Sequence, residues 1–468
     1  MRARKVKIKQ GEITAFLSLV MVLMVSFITA MLESAVAQTA KNEQRLAVDM
    51  AVYSMFGEYQ KDLLDNFHVF ALDGSYETGS FAEETLIDRI RYYGAVGMEH
   101  ELTAIQLLTD DSGQAFREQV LYYMEEMFGI EFIRKYTGMT SGWTEQTVAG
   151  NRTETDEQKT LQELSDTLTE NETELPAEDN PLANMEQVKK TGILSMVLPK
   201  GFALSSKKIF RDNQVSGRNL RHGKGNLPMR NNIDGAEANL LFQEYLLMNF
   251  FNAVETEPEM KESAQKRSLA YEVEYILEGE DSDAQNLEAV VKKLLTMRIG
   301  INYVYLLSDS VKRAEVQSMA LSIATVAALP AISTLIEQAL LAAWAFGESI
   351  MDLRALLAGK RTALFKSAET WQLSLSSLIT LGTGEDALEG QDVEGGISYR
   401  EYLRALLFVR DSKTLTMRVL DRVEQNIIYE QGKKFFRADQ CVTKIRIQNK
   451  AIIHREVTYE FPVYFGYI

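Results

Sequence analysis

Mostly hydrophobic residues form one long uncharged run near the start of the chain, over residues 13–32, with Glu12 before it and Glu33 after it. A helix rises about 1.5 Å per residue, so this run spans roughly 30 Å, the thickness of a bilayer's hydrocarbon core. The preceding residues are basic without an acid among them until Glu12, which is typical of a cytoplasmic flank. The pattern predicts a cytoplasmic tail over 1–12 and a transmembrane helix over 13–32. The side chains expected to contact lipid are Ile13, Phe16, Leu17, Val20, Leu23, Met24, Phe27 and Leu32.

The same segment also has features of a secretory signal peptide. Ala35 and Ala37, just before Gln38, make an acceptable cleavage site with small residues at the required positions. The apolar run is longer than the roughly 7–15 residues usual for a signal peptide, and no helix breaker separates it from the site. A cleaved signal, a retained anchor and the stem of a pilin-like subunit are three readings of this segment, and the length of the run favours retention.

Helical periodicity continues beyond the apolar run and predicts an amphipathic helix that reaches about residue 67. A hydrophobic stem that runs into a packed external helix is the plan of pilin-like subunits, although an ordinary first helix of an external domain fits the pattern equally well. Residues 33–140 are therefore interpreted as the stem and the first, mainly helical part of an external body, with a strand at 68–72. The periodic apolar positions are Val48, Val52, Met55, Tyr59 and Leu63.

The composition changes over residues 141–190, which are rich in Thr, Glu, Gln, Asn and Asp. A segment with so little apolar surface cannot offset the entropy lost on ordering. We expect an acidic linker or loop here, with at most a short helix at 157–169.

Residues 191–468 form the main external body in this interpretation. Residues 269–277 alternate apolar and polar side chains as a strand does, and a helix is expected to follow with Ser282 or Asp283 as its N-cap. A long amphipathic helix is expected at 399–436. The end of the chain reads as two antiparallel strands with a turn near 448–450. The predicted fold class is α+β, in which a transmembrane helix continues into a long external helix and a mainly helical body carries a small antiparallel sheet.

A second hydrophobic region covers residues 316–347. Its uncharged part, 316–336, is long enough for a second membrane span, but it is rich in Ala, Ser and Thr and contains Pro330. Apolar residues then continue at helical spacing. Buried core helices packed through small residues are favoured over a second span, which would return the C-terminus to the cytoplasm.

The net charge of the chain bears on which classes of partner it could bind. The net charge is −16, and a nucleic-acid partner is not expected because phosphate binding needs a basic surface. A basic loop, residues 207–230, is the local exception. It could dock on the acidic segment, contact an anionic membrane or wall polymer, or remain solvated. The basic residues proposed for an anion or partner contact are Lys207, Lys208, Arg211, Arg218, Arg221 and Lys224.

Residues with catalytic chemistry are scarce. The four histidines do not pair with one another or with cysteine at a metal-ligand spacing, and no Gly-x-Ser-x-Gly elbow occurs. The single cysteine, Cys441, excludes an intrachain disulfide and is expected to be a small buried hydrophobe. Gly359 is expected to end a helix rather than to cradle phosphate. We therefore expect no enzyme activity, no cofactor and no metal.

Several stretches together resemble an uncharacterised bacterial family related to the TadE/TadG-like subunits of tight-adherence (Tad, Flp-type) pilus systems. They cover most of the chain outside 140–190 and carry no reaction. The stretches are 11–19 (GEITAFLSL), 31–35 (MLESA), 59–73 (YQKDLLDNFHVFALD), 271–279 (YEVEYILEG) and 344–360 (WAFGESIMDLRALLAGK).

The resemblance implies a single-pass protein of the cell membrane with a cytoplasmic N-terminus and an extracellular body. Its expected role is that of a non-catalytic structural or assembly subunit, with membrane lipid and other pilin-like or Tad-type subunits as partners. Processing by a prepilin peptidase would cut between Gly11 and Glu12. Pilins of this type carry a glutamate at the fifth position after the cut. Phe16 occupies that position here, so the sequence departs from the pilin pattern. The alternative function is a wall-polymer enzyme or binding module, secreted after signal cleavage or anchored.

Overall fold

The structure, a computed structural model, describes residues 10–137, 140–171, 174–176, 180–182, 192–255, 258–383, 386–453 and 456–467. The predicted α+β class is confirmed, since a long N-terminal helix and a mainly helical body accompany a small antiparallel sheet. The helices are α1 (Gln10–Phe56), α2 (Lys61–Phe67), α3 (Glu83–Tyr92), α4 (Asp110–Thr137), α5 (Thr140–Glu170), α6 (Ile193–Val197), α7 (Ala236–Asn249), α8 (Pro258–Lys266), α9 (Glu272–Glu278), α10 (Asp283–Ser308), α11 (Ser310–Val326), α12 (Ser333–Leu357), α13 (Tyr399–Val409) and α14 (Ser412–Gln431). The strands are β1 (Leu72–Asp73), β2 (Met98–Leu107), β3 (Cys441–Ile453) and β4 (Val457–Gly466).

Strand β3 is the centre of the sheet. It pairs antiparallel with β2 along one edge and with β4 along the other, and β1 meets its first two residues on the β4 side. One face of β3 carries Ile445, Ile447 and Ala451, which are buried in a core shared with the second half of α1 and with α3. The sheet therefore fastens the stem helix to the body.

The helical body has its own core, built around α10 and α12. Helix α12 packs against α10, α11 and α5, and its side chains from Ala339 to Phe346 are all buried. Trp344 is fully buried and donates a hydrogen bond from its indole N–H to the carbonyl of Leu373 at 2.8 Å. This packing supports the interpretation of the second hydrophobic region as buried core helices.

That region is also divided between two helices, so its uncharged part, 316–336, does not form one continuous helix. α11 ends at Val326, and a 3₁₀ turn at Pro330–Ile332 separates it from α12. Proline lacks the backbone N–H and cannot continue a preceding helix without disruption. Only the N-terminal helix, among the residues that the structure describes, is long and apolar enough to cross a membrane.

The strand predicted at 269–277 is wrong, because Glu272–Glu278 form α9. Glu272 and Glu274 are both fully buried and hydrogen-bonded, so the apparent alternation of buried and exposed positions does not exist. The helix ends at Gly279, which has the positive φ of 71° that glycine adopts without strain.

The strand predicted at 68–72 is largely wrong. Only Leu72 belongs to a strand, because His68 takes a left-handed conformation as the C-cap of α2. The stem also ends earlier than expected, at Phe56, and the chain turns before α2. Sequence reasoning missed β2 altogether, although its side chains alternate between buried and exposed from Met98 to Thr103.

The acidic segment differs most from its prediction. Instead of a linker or loop with a short helix, it contains the 31-residue α5, Thr140–Glu170. The helix packs against α10 and α12, and Leu164 is buried in the large core. Tertiary packing on one face therefore offsets the ordering cost that the polar composition implied. Residues 172–173, 177–179 and 183–190 of the segment lie outside the described residues.

Several local predictions are confirmed. Ser282 is the N-cap of α10, and Gly359 follows the end of α12 with a φ of 78°. The two C-terminal strands exist, but β3 continues through 448–450 and the turn comes later. The helix expected at 399–436 is split after Val409, because Asp411 caps a second helix by accepting from Thr414 N–H.

Candidate functional site

The first half of α1 presents hydrophobic side chains to its surroundings. Phe16 and Leu23 leave 65% and 61% of their surface exposed. The hydroxyls of Ser18 and Thr29 donate to carbonyls of the preceding turn, so these polar groups are satisfied within the helix. This surface is suited to an apolar environment rather than to water. The predicted anchor residues all lie here, and all except Val20 are exposed: Ile13, Phe16, Leu17, Val20, Leu23, Met24, Phe27 and Leu32.

The second half of α1 is built into the body. Val48 and Val52 are buried against the sheet, and the hydroxyl of Tyr467 donates to the carbonyl of Phe56. The ring of Phe56 also contacts that of Phe465, with 4.4 Å between centroids. One continuous helix therefore joins an exposed apolar segment rigidly to the folded domain.

The candidate processing positions lie along this same helix. Gly11 and Glu12 are in its first turn and are exposed. The helix continues without interruption through Ala35 and Ala37, of which Ala35 is exposed and Ala37 is half-buried. Both candidate cleavage sites are thus helical in this structure.

The basic loop is tied to the protein itself, beginning with Lys207. Its ammonium group donates to the carbonyls of Ala264, Gln265 and Arg267, at 3.1, 2.7 and 2.6 Å. These carbonyls lie at or just beyond the end of α8, where a cation complements the helix dipole. Lys207 therefore acts as a cap for a helix of the body.

Arg218 and Arg221 fasten the middle of the loop. The Arg218 guanidinium donates hydrogen bonds to Glu424 at 2.5 and 2.8 Å and to Asp439 at 2.6 Å. All three side chains are almost completely buried. Burial alone would lower the pKa of Arg218, but the two carboxylates outweigh it and hold the pKa above its ordinary value. The guanidinium of Arg221 lies 4.8 Å from the ring centre of Phe81.

The other basic side chains of the loop are nearer to solvent. Arg211 Nε lies 2.7 Å from Asp281 Oδ1, and Lys224 Nζ lies 2.6 Å from Glu83 Oε2. The side chain of Lys208 is exposed. Six basic residues were proposed to bind an external anion or partner. All of them except Lys208 instead contact carboxylates, carbonyls or aromatic rings of the protein itself, and these contacts lie outside the acidic segment.

A buried cluster of four charges lies inside the helical body. Arg298 of α10 pairs with Asp352 of α12 at 2.8 Å, and Lys366 bridges Asp352 and Glu348 at 2.7 and 2.5 Å. All four side chains are completely buried. Burial would raise the pKa of Asp352, but Arg298 and Lys366 keep it below the ordinary value. Burial raises the pKa of Glu348. The cluster joins two core helices to the loop after α12.

The residues considered for catalysis have separate environments. Cys441 is fully buried, and burial raises the pKa of its thiol, which opposes formation of the nucleophilic thiolate. His222 is exposed, with Nδ1 3.7 Å from Asp110 Oδ1. His100 is buried and bonds Asn449 at 2.7 Å. No group of three or more potential metal ligands occurs in the part of the chain that the structure describes.

Among the described residues, open cavities of about 810, 750 and 400 Å³ indent the body. The 810 Å³ cavity lies beside the start of the basic loop, and Tyr271 and Lys207 line it. The other two are neighbours, since Ser112 and Lys413 line both. Neither Cys441 nor His222 lines any of the three, so these cavities do not bring together the groups that an enzyme site around them would need.

Sequence reasoning missed the side chains that join the stem to the sheet. The ammonium of Lys41 lies 5.3 Å from the ring centre of Tyr459, and the guanidinium of Arg45 lies 5.8 Å from that of Phe461. The alternation within β4 indicated its two faces, but no local signal paired that strand with α1, because more than 400 residues separate the partners.

The fold and the exposed stem define an α+β protein with a long apolar N-terminal helix that could cross a membrane. The chain belongs to a family of unknown function, DUF5702, whose model matches residues 171–453. The match covers much of the helical body and β3, whereas α1 and β4 lie outside it. No curated protein and no solved structure matches the chain.

Proposed function

We propose that this protein is a membrane-anchored, non-catalytic structural or assembly subunit of a Tad-like pilus or secretion apparatus at the cell envelope. The observation that carries the proposal is the division of α1 into an exposed apolar half and a half that is packed on the sheet. An anchor of this kind keeps the body at the membrane surface. The basic flank before the apolar run supports an orientation with the N-terminus in the cytoplasm and the body outside.

Assembly through the stem is the second part of the proposal. Glu12, Phe16, Val20 and Leu23 are spaced so that they share one face of α1. We expect this face, with Leu17 and Met24 at its edges, to pack against the stem of a neighbouring subunit. Burial of an acid at the edge of an apolar run costs several kcal/mol when the acid has no partner, so Glu12 is expected to meet a positive group of that neighbour when the stems pack together.

Assembly is tested by purification of the full chain from gently solubilised membranes. A tagged copy of the chain is expected to co-purify with an untagged copy or with other envelope subunits. Glu12→Ala is expected to weaken this association. Glu43→Ala is the matched control, since Glu43 is an exposed acid on the same helix beyond the apolar run. A strictly monomeric species that Glu12→Ala leaves unchanged would contradict assembly through the stem.

Topology and processing are tested together by protease accessibility on wall-stripped intact cells, with the mass of the mature protein measured. The expected result is a body that external protease digests and an N-terminus that still includes residues 13–32. A chain that starts at Gln38 and is free in the culture fluid would overturn the anchor and favour the secreted alternative.

A further inference from the structure

The two neighbouring cavities, of about 750 and 400 Å³, have a positive lining although the whole chain carries a net charge of −16. Among the described residues, the lining includes two acids, Asp111 and Asp234, and both belong to the 750 Å³ cavity. Cations are more numerous, so the pair of cavities attracts anions. These cations are Arg117 and Arg230 in the 750 Å³ cavity, Arg211 and Arg418 in the 400 Å³ cavity, and Lys413 in both.

Two of these positive charges are not neutralised by the protein. Lys413 is exposed, and its ammonium group makes no ion pair or hydrogen bond in the part of the chain that the structure describes. Arg418 donates from Nη1 to two carbonyls in the last turn of α9, at 3.1 and 2.6 Å, and it has no carboxylate partner among the described residues. Arg211 differs, because it pairs with Asp281. The 400 Å³ cavity therefore has two cations without a counter-charge.

The N-terminus of α14 lies where the two cavities meet. Ser412 lines the 750 Å³ cavity, Thr414 lines the 400 Å³ cavity, and Lys413 lines both. The Asp411 carboxylate accepts from the N–H of Thr414, but the backbone N–H groups of Ser412 and Lys413 have no acceptor among the described residues. Free N–H groups at the positive end of a helix dipole bind oxygen anions. This helix end therefore keeps two donors for a ligand.

Arg117 of α4 gives independent evidence for a missing acceptor. Its side chain lines the 750 Å³ cavity and is only 3% exposed. Nε donates to the carbonyl of Ile233 at 3.0 Å and Nη2 donates to Asn239 Oδ1 at 2.6 Å, whereas the buried Nη1 has no partner. Burial lowers the pKa of Arg117 to about 10, although Asp234 Oδ1 lies 3.7 Å from Nε. A buried charged donor without an acceptor is costly, so the protein alone does not complete this wall.

We propose that the two cavities together bind a ligand that carries two or more phosphate groups. One group would lie at the N-terminus of α14 on the side of Arg117, and another would lie beside Arg418, with Lys413 between them. Phosphate suits these donors because each group presents several oxygens, which accept from lysine and backbone N–H groups at the same time.

This site goes beyond the proposed function and does not depend on it. None of the described lining residues belongs to α1, so the site is the same whether or not that helix spans a membrane. A failed test of the anchor and a failed test of this site are therefore separate results.

The test is isothermal titration calorimetry of the full chain in uncharged detergent and phosphate-free buffer. The three probes are tripolyphosphate, orthophosphate and citrate. Tripolyphosphate is expected to bind at least about tenfold more tightly than orthophosphate, because its linked groups can occupy both cavities in one binding event. Citrate is expected to bind about tenfold more weakly than tripolyphosphate, because its planar carboxylates offer fewer oxygens to each set of donors.

Lys413→Gln is the informative variant, because Lys413 is common to both cavities. It should weaken tripolyphosphate binding about tenfold. Lys434→Gln is the matched control, since Lys434 is also exposed and unpaired among the described residues but lines neither cavity. It should change the affinity less than about twofold. Neither lysine holds another element in place, so both variants should keep the unfolding midpoint of the wild type without ligand.

Three results would overturn the site. They are no binding of tripolyphosphate, equal affinities for tripolyphosphate and orthophosphate, and equal weakening by Lys413→Gln and Lys434→Gln. Citrate binding as tight as that of tripolyphosphate would overturn the assignment of the ligand as a phosphate.

Discussion

At the residue scale, the main feature is that charged side chains are buried in matched sets. Arg298, Asp352, Lys366 and Glu348 balance two positive against two negative charges in the core of the helical body. Such a set contributes little net stability compared with apolar residues, but removing one member leaves the others unpaired. We therefore expect these positions to be intolerant of substitution.

Lys366→Ala tests this expectation. The change leaves Glu348 without its cation and Asp352 with only one, so the free energy of unfolding should fall by about 3–5 kcal/mol. Lys292→Ala is the control, because Lys292 pairs with Glu288 on an exposed helix face and should cost less than about 1 kcal/mol. Urea unfolding of the solubilised chain gives both values, and equal losses would contradict the argument.

Glu274 gives the protein a pH dependence of its own. Burial raises its pKa from 4.5 to about 7, against hydrogen bonds from Ala253 N–H and the Tyr399 hydroxyl. A carboxyl group with a raised pKa holds its proton longer in the folded state, so its contribution to stability is full below pH 4.5 and is lost as the pH rises toward 7.

Glu274→Gln removes that titration. Between pH 5 and pH 7.5 the wild type should lose about 2 kcal/mol more unfolding free energy than the variant does. The comparison uses the change with pH in each protein, so a constant cost of the substitution cancels. Parallel stability curves for the two proteins would show that Glu274 does not titrate in this range.

At the element scale, loops are held by close backbone approach as well as by ion pairs. Gly390 lies in the segment that follows Asp386. It approaches Met351 and Ala355 of α12 so closely that a Cβ would collide with their backbone atoms. Arg354 adds a paired contact with Asp386 at 2.6 and 3.0 Å. The two contacts fix this segment along a buried helix.

Gly390→Ala should therefore destabilise the protein by about 1–3 kcal/mol, since backbone must shift to admit the methyl group. Gly192→Ala is the control, because an added Cβ there meets nothing within 4 Å and the backbone is not left-handed. Thermal unfolding under identical conditions distinguishes them. A neutral Gly390→Ala would mean that the loop can move away from α12 without cost.

At the scale of the whole molecule, α1 belongs to two environments. Its first half contributes nothing to either hydrophobic core, whereas Val48, Val52, Met55 and Phe56 belong to the core that α1 shares with the sheet. The first half of α1 should accordingly be separable from the fold, but the second half should not.

A chain that begins at Gln38 should fold with an unfolding midpoint close to that of the full protein and remain in solution without detergent. A chain that begins at Glu58 should fail to fold, because it strips the buried side of α1 from the sheet. Circular dichroism and unfolding curves of the two truncations decide the point. Loss of structure in the first truncation would contradict the division of α1 into two parts.

Local sequence alone determined the elements that are marked by a capping residue or by a regular spacing of apolar side chains. The apolar run predicted the exposed first half of α1, Ser282 and Gly359 marked helix ends, and alternation predicted the two C-terminal strands. Each signal lies within a few residues of the structure that it specifies, so no distant contact is needed to read it.

Only the tertiary structure decided the rest. The helix α5 forms in a polar segment because α10 and α12 cover one of its faces, and α9 is a helix whose buried Glu274 and Glu272 accept hydrogen bonds from Tyr399 and Asn426, which are distant in sequence. The basic loop is held by carboxylates and carbonyls far away in the chain, and β4 lies beside α1 from the opposite end of the sequence. These arrangements depend on long-range burial and charge pairing, whose free energies exceed local propensities and leave no mark in the neighbouring residues.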